Sequence, residues 1–196
     1  GVKSIADQDD TLTLICSTYD DESLAWRYYA QLTSSGVDGV ISISHDMSEY
    51  LHSVPDKPKI PLISADFPCQ AGYSIELDHE KIGFTATNHL VQHGYKCIAL
   101  VRFAVDIPSM VQIQHGYESA LRKAGLRILP ERIICVNGFD RASGESAANK
   151  LLALDDRPDG VFIVADQLAI GVIQTFHKSG VNVPKDIAIT SFNNIP

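Results

Sequence analysis

At 196 residues the chain has room for one large domain or two small ones, and 45% hydrophobic with 8% aromatic content is ordinary for a folded protein. The formal charge is -8, from 24 acidic against 16 Lys plus Arg, with no dense basic run; this excludes nucleic-acid binding by the segment alone, since phosphate neutralisation needs clustered positive charge. No stretch approaches the roughly 18 consecutive apolar residues of a membrane span, and Cys16, Cys69, Cys97 and Cys135, with no Cys-x-x-Cys pair, read as free thiols of a reducing cytoplasm, with two disulfides the alternative that nothing in the spacing asks for.

Gly1 to Ala6 reads like the end of a helix. Thr11 to Ser17 alternates and is expected as a strand. Asp21 to Ser34 puts Leu24, Tyr28 and Leu32 on one helical face, and Gly36 stops that helix. A strand opens at Val37-Asp38-Gly39-Val40-Ile41, and the same pattern returns at Pro158-Asp159-Gly160-Val161-Phe162. Two similar αβ halves would explain the repeat, and so would a shared helix-to-strand turn. From Ser44 to Pro61, with Pro55, Pro58 and Pro61, a short surface helix and a loop are expected. Strands follow at Ile60 to Ala65 and Tyr73 to Leu77. His79 to His93 forms a helix with Ile82, Ala86 and Leu90 inward, closed by Gly94.

Cys97 to Val101 is the next strand, followed by a helix over Pro108 to Ala124, a strand over Arg132 to Val136 and a helix over Ala142 to Ala153. Val161 to Val164 is an apolar run followed at once by Asp166, suited to a first helical turn, and by Leu168, Val172 and Phe176 at helical spacing. Gly180 and Pro184 end that helix, and Ile187 to Ile189 begin another strand. Alternating units of this kind build parallel sheets covered by helices, with ligands outside the carboxyl ends of the strands. Ala165, Asp166 and Asn193 stand at such ends.

The ordered series resembles the effector-binding core of LacI/GalR-type bacterial transcription regulators over almost the whole chain. It is carried by Asp20 to Ile43, Ile60 to Asp66, His89 to Leu100, His115 to Leu121, Asp159 to Asp166 and Val183 to Asn194. No single segment is decisive; the order and spacing are. The resemblance implies a periplasmic-binding-protein-like α/β fold of two αβ subdomains with parallel sheets flanked by helices and a cleft between them. Residues 1–75 would form an N-terminal subdomain lacking its first strand, 76–193 a C-terminal subdomain, and 194–196 the start of a crossover back. It implies further that the chain is truncated at both ends, without an amino-terminal helix-turn-helix.

The resemblance also supplies candidate effector contacts. Asp66 matches a carboxylate that accepts hydrogen bonds from effector hydroxyls, and two neighbouring hydroxyls can share one carboxylate. Phe139 matches an aromatic ring that lies against the effector, with a plain core plug the alternative reading of a loop Phe. Asn193 stands where many relatives have Asp, and its amide can donate and accept. Three residues before Gly116, where the family places an Arg, this chain has Ile113, flanked by Gln112 and Gln114, so the bidentate cation is gone. Ala165 replaces a frequent Asn ahead of Asp166. Asp140 and Ser143 read as caps of the Ala142 helix. His89 and His93 share a helical face without a third metal ligand, so no metal is expected, and no cofactor.

The function expected is the effector-sensing and dimerisation core of a cytoplasmic regulator, a repressor answering to a small molecule, a sugar or derivative. DNA would be met only through the missing helix-turn-helix. A homodimer is expected from the resemblance and from the helix with Leu168, Ile170 and Val172, apolar on more than one side. The alternative is an exported sugar-binding receptor of a transport system. An open-sheet enzyme is the third reading; no Gly-x-Ser-x-Gly elbow, P-loop or dinucleotide fingerprint supports it, and an enzyme is not expected.

Overall fold

A computed structural model describes residues 2–18, 21–43, 60–66, 69 and 72–195. The chain divides into two compact units, Gly1–Leu77 and Asp78–Pro196. The surface helix and loop expected from Ser44 to Pro61 lie almost wholly outside the described residues.

In the first unit, helix α1 (Val2–Ala6) runs into a 3-10 turn at Asp7–Asp9. Helix α2 (Glu22–Ser34) is capped by Asp21, whose carboxylate accepts from Leu24 N at 3.1 Å. Strands β1 (Val40–Ser42), β2 (Leu62–Ala65) and β3 (Tyr73–Ile75) form a parallel sheet in the order β1-β2-β3. Its core is small: Ala25, Tyr29, Leu62 and Cys69 with Val40 packed against them. The most buried stripe of α2 is therefore Ala25 and Tyr29, with Leu24, Tyr28 and Leu32 only half-buried at its flank.

The strand expected over residues 11–17 is not formed. Leu12 and Ile15 are 83% and 80% exposed, and among the described residues no strand pairs with this segment. Alternation marks a segment that would suit a sheet, but a strand exists only where a neighbour meets its N–H and C=O groups.

The second unit repeats one motif. Helix α3 (His79–Gln92) leads to β4 (Ile98–Phe103), α4 (Pro108–Lys123), a 3-10 turn at Pro130–Arg132, β5 (Ile133–Val136), α5 (Arg141–Leu152), β6 (Gly160–Ile163), α6 (Asp166–Lys178) and β7 (Ala188–Ser191). The strands form a parallel sheet in the order β5-β4-β6-β7. All six residues of β4 are buried, as a central strand requires when helices cover both faces. Gly94, Gly125 and Gly180 close α3, α4 and α6 with φ of 92°, 67° and 76°, a conformation glycine adopts without a Cβ penalty.

Glycine also sets how the helices pair. A Cβ on Gly83 would fall on the Ile113 carbonyl, and one on Gly116 on the Glu80 carbonyl, so α3 and α4 meet backbone to backbone. Gly144 and Gly171 do the same for α5 and α6, against the carbonyls of Leu168 and Arg141. Helix α6 buries Leu168, Ala169, Gly171, Val172, Thr175 and Phe176. Most of its apolar surface is thus used inside its own unit, while Ile170 is half-buried and Ile173 is 40% exposed. Among the described residues no helix is long and apolar enough to cross a membrane.

Candidate functional site

Parallel strands deliver their carboxyl ends to one edge, and in the second sheet that edge collects Arg102 and Phe103 from β4, Phe139 after β5, Ala165 and Asp166 after β6, and Asn193 after β7. Phe139 is 66% exposed and its ring lies 4.0 Å from that of Phe103, tilted by 44°, while Phe103 itself is 7% exposed. Phe139 is therefore no core plug; it presents an apolar face held by a buried ring. Asp140, next in the chain, caps α5 by accepting from Ser143 N at 2.9 Å, and the Ser143 amide and then its hydroxyl hold the carboxyl below the usual carboxylate range.

Asn193 is exposed with φ of 109°, and Asn194 follows at 54°, so two successive residues stand in the left-handed region. The Asp166 carboxylate holds this turn from outside. Ser191 Oγ donates to Oδ1 at 2.5 Å and Ile195 N donates to Oδ2 at 2.8 Å. Asp166, expected as an effector contact, thus also fixes the backbone that presents Asn193, and each of its oxygens keeps a further lone pair. Ala165 is 8% exposed and is the N-cap residue of α6, without a side chain able to cap.

Ile113 is 1% exposed and belongs to the core, its carbonyl beside Gly83. Expected at an effector-contact position, its side chain is packed in the core. Gln112 is exposed, and Gln114 Nε2 donates to Glu118 Oε1 at 2.9 Å. In the first unit, Asp66 follows β2 with φ of 77°, and its N–H donates to the Ile75 carbonyl at 2.7 Å. It stands at the carboxyl edge of its own sheet.

Other titratable groups serve structure. His93 Nδ1 lies 2.8 Å from the His89 carbonyl with the rings 4.3 Å apart, and among the described residues no group of three metal-ligating side chains occurs. All four cysteines are free thiols. Burial, foremost, pushes the Cys97 thiol up, the opposite of an activated nucleophile.

Arg102 lies one residue beyond the strand expected over Cys97 to Val101, inside β4. The signal was present: a cation closing the apolar run from Ile98, where only a strand end could accommodate it.

Residues 87–196, more than half of the chain, match the model of the periplasmic binding protein-like domain. The chain belongs to that family. Within the periplasmic binding protein-like domains, its relatives include the HTH-type transcriptional repressor PurR of Aliivibrio salmonicida, 26% identical over all of this chain and 59% of the relative. Catabolite control protein A of Priestia megaterium is 27% identical over 99% of this chain and 59% of the relative. The chain thus spans about 59% of the length of these curated relatives. A LacI family transcriptional regulator from Lactobacillus casei, solved with bound glucose, superposes with a TM-score of 0.84 at 23% identity, over all of this chain and 74% of that one. The resemblance to LacI/GalR-type cores read from the sequence, and the parallel α/β fold it implied, are borne out.

Proposed function

We propose that the chain is the effector-sensing core of a bacterial DNA-binding transcriptional regulator, a repressor that answers to a sugar or sugar derivative. The observation that carries this reading is the open strand-end edge of the second sheet. There an exposed ring, Phe139, backed by Phe103, lies on the same edge as an exposed amide, Asn193, in a turn fixed by Asp166. A ring face and an amide are what a sugar uses: one covers C–H surface, the other exchanges hydrogen bonds with hydroxyls. In the first unit, Asp66 stands at the carboxyl edge of its own sheet, where a carboxylate can accept from hydroxyls. The relatives carry repressor and control-protein names rather than enzyme names.

Such a core would act by binding its effector with unequal affinity in two conformations, as a cytoplasmic homodimer that works DNA-binding segments elsewhere in the protein. The test is thermal unfolding of the protein carrying this chain with mono- and disaccharides, sugar phosphates and nucleobases. At a ligand concentration near 100 times Kd, preferential binding to the folded state is worth about 2.7 kcal/mol. A ligand-specific rise is expected in the native protein and is expected to be lost in Phe139→Ala, Asn193→Ala and Asp66→Ala. No rise with any class of ligand overturns the reading. Sedimentation at a concentration-independent monomer mass would remove the homodimer.

A further inference from the structure

Arg102 is 8% exposed at the carboxyl end of β4. A guanidinium is costly to bury unless its donors are met, and these are met poorly. Nη2 donates to Asp106 Oδ1 at 2.7 Å, and Nη1 reaches the Val105 carbonyl only at 3.4 Å. Nε is sealed from solvent and has no acceptor among the described residues. The side chain of Asp106 is 77% exposed, and the bond it receives goes to one oxygen on one edge of the guanidinium. A planar guanidinium is built to bind an oxyanion through two parallel N–H groups, and the edge shared by Nε and Nη2 is half used.

The loop that Arg102 points into supplies a second source of positive potential. Val105 and Asp106 lead directly to Ile107, the N-cap residue of the 16-residue helix α4, where no side chain caps the helix and Pro108 stands in the first turn. An uncapped helix start favours negative charge. A buried cation and a helix terminus thus converge on one loop, and the anion found there is a solvent-exposed aspartate.

We propose that Arg102 is the anchor for an oxyanion, the carboxylate or phosphate of a charged effector, with Asp106 the internal anion that it displaces. Its role as an effector anchor rests on the sensing function proposed above, because the loop opens on the same strand-end edge. It narrows that function from sugars in general to acidic or phosphorylated ones.

The experiment follows the arginine Nε–H resonances of the 15N-labelled protein carrying this chain while inorganic phosphate, and separately acetate, is titrated at constant ionic strength. Arg102→Lys assigns the resonance by its loss; should that variant not fold, through-bond correlation assigns it. A saturable movement of the Arg102 signal is expected, and whichever anion saturates first names the oxyanion. Asp106→Asn removes the competitor and is expected to lower the saturating concentration about 2–5-fold, the worth of one exposed ion pair. No saturable movement, or weaker binding in Asp106→Asn, overturns the proposal and leaves Arg102 as a loop staple. The sugar panel fails independently: phosphate bound at Arg102 with no response to any sugar or sugar phosphate would overturn the sensing function and the anchor role while leaving the anion site standing.

Discussion

Gly116→Ala tests whether α3 and α4 meet as closely as their glycines require. The added Cβ would stand 2.6 Å from Phe84 N and 2.9 Å from the Glu80 carbonyl carbon, where ordinary contact begins at 3.4 Å. Both neighbours are helix backbone, so relief comes only by parting the helices by roughly 1 Å, and a gap of that size forfeits about a quarter to a half of each van der Waals contact across it. Ile113, 1% exposed, has its backbone against Gly83 in the same interface and is displaced with it. The cost of such overpacking reaches about 3 kcal/mol, and the gain of alanine over glycine inside a helix returns about 1 kcal/mol. The net is a loss of about 2 kcal/mol, which for a unit of this size lowers Tm by about 6–10 °C. Thermal unfolding followed by circular dichroism reads this directly. Gly125→Ala is the control: φ is +67° there with nothing within 4 Å, so only the left-handed penalty of about 1 kcal/mol applies. A Tm for Gly116→Ala at or above that of the native protein would refute the backbone-to-backbone packing.

Tyr117→Phe removes the hydroxyl that donates to the Ile98 carbonyl at 2.8 Å in the core and is expected to cost about 1–2 kcal/mol in urea unfolding at neutral pH. Burial holds the Tyr117 phenol well above its ordinary range, so the proton is kept in the folded state after the unfolded chain has lost it. This stabilisation is complete below about pH 10 and is lost as pH rises further, so the advantage of the native protein over Tyr117→Phe is expected to shrink in that window. Asp159→Ala frees the Lys96 and Cys97 amides, which donate to its carboxylate at 3.0 and 2.9 Å, and a loss of about 2–3 kcal/mol is expected by denaturant unfolding. Asp140→Ala uncaps α5. Because the folded carboxyl is held below its usual range, the capping stability is fully present at neutral pH and declines as pH falls below the ordinary carboxylate range, so the difference in unfolding between the native protein and Asp140→Ala is expected to be largest at neutral pH and to shrink with acidification.

The α/β alternation was legible because its signals are local. Leu168, Val172 and Phe176, spaced for one helical face, are each 0% exposed, and Gly94 and Gly180 end the helices they were expected to end. What misled was local signal whose outcome depends on distant partners. Residues 11–17 alternate like a strand, yet among the described residues no strand pairs with them. Asp166 reads as a helix-start acceptor or an effector contact, yet its carboxylate also accepts from Ser191 and Ile195, 25 and 29 positions further on. Ile113 occupies a position where the resemblance implied a ligand-facing cation, but the close approach of α3 at Gly83 and Gly116 turns it into core. In each case the deciding contact crosses from one element to another, and no periodicity within the segment encodes it.

The repeated Asp-Gly pattern sharpens this distinction between shared descent and shared physics. At Gly39 an added Cβ would lie 3.3 Å from the Pro61 carbonyl oxygen, and Val40 N donates to that same oxygen at 2.9 Å as β1 meets β2. At Gly160 the added Cβ would lie 3.4 Å from both Leu90 and Tyr95, while the Asp159 amide donates to the Cys97 carbonyl at 2.8 Å as β6 meets β4. Each copy therefore opens a parallel strand beside a close neighbour, where a small residue lets the incoming backbone reach its first ladder bond. The neighbours differ: a carbonyl from the strand that follows in one copy, side chains of α3 and its exit turn in the other. Close approach to a backbone carbonyl therefore favours glycine at Gly39, whereas at Gly160 an added Cβ would make only ordinary contacts with side chains, so the shared pattern reflects strand entry in two different packing environments.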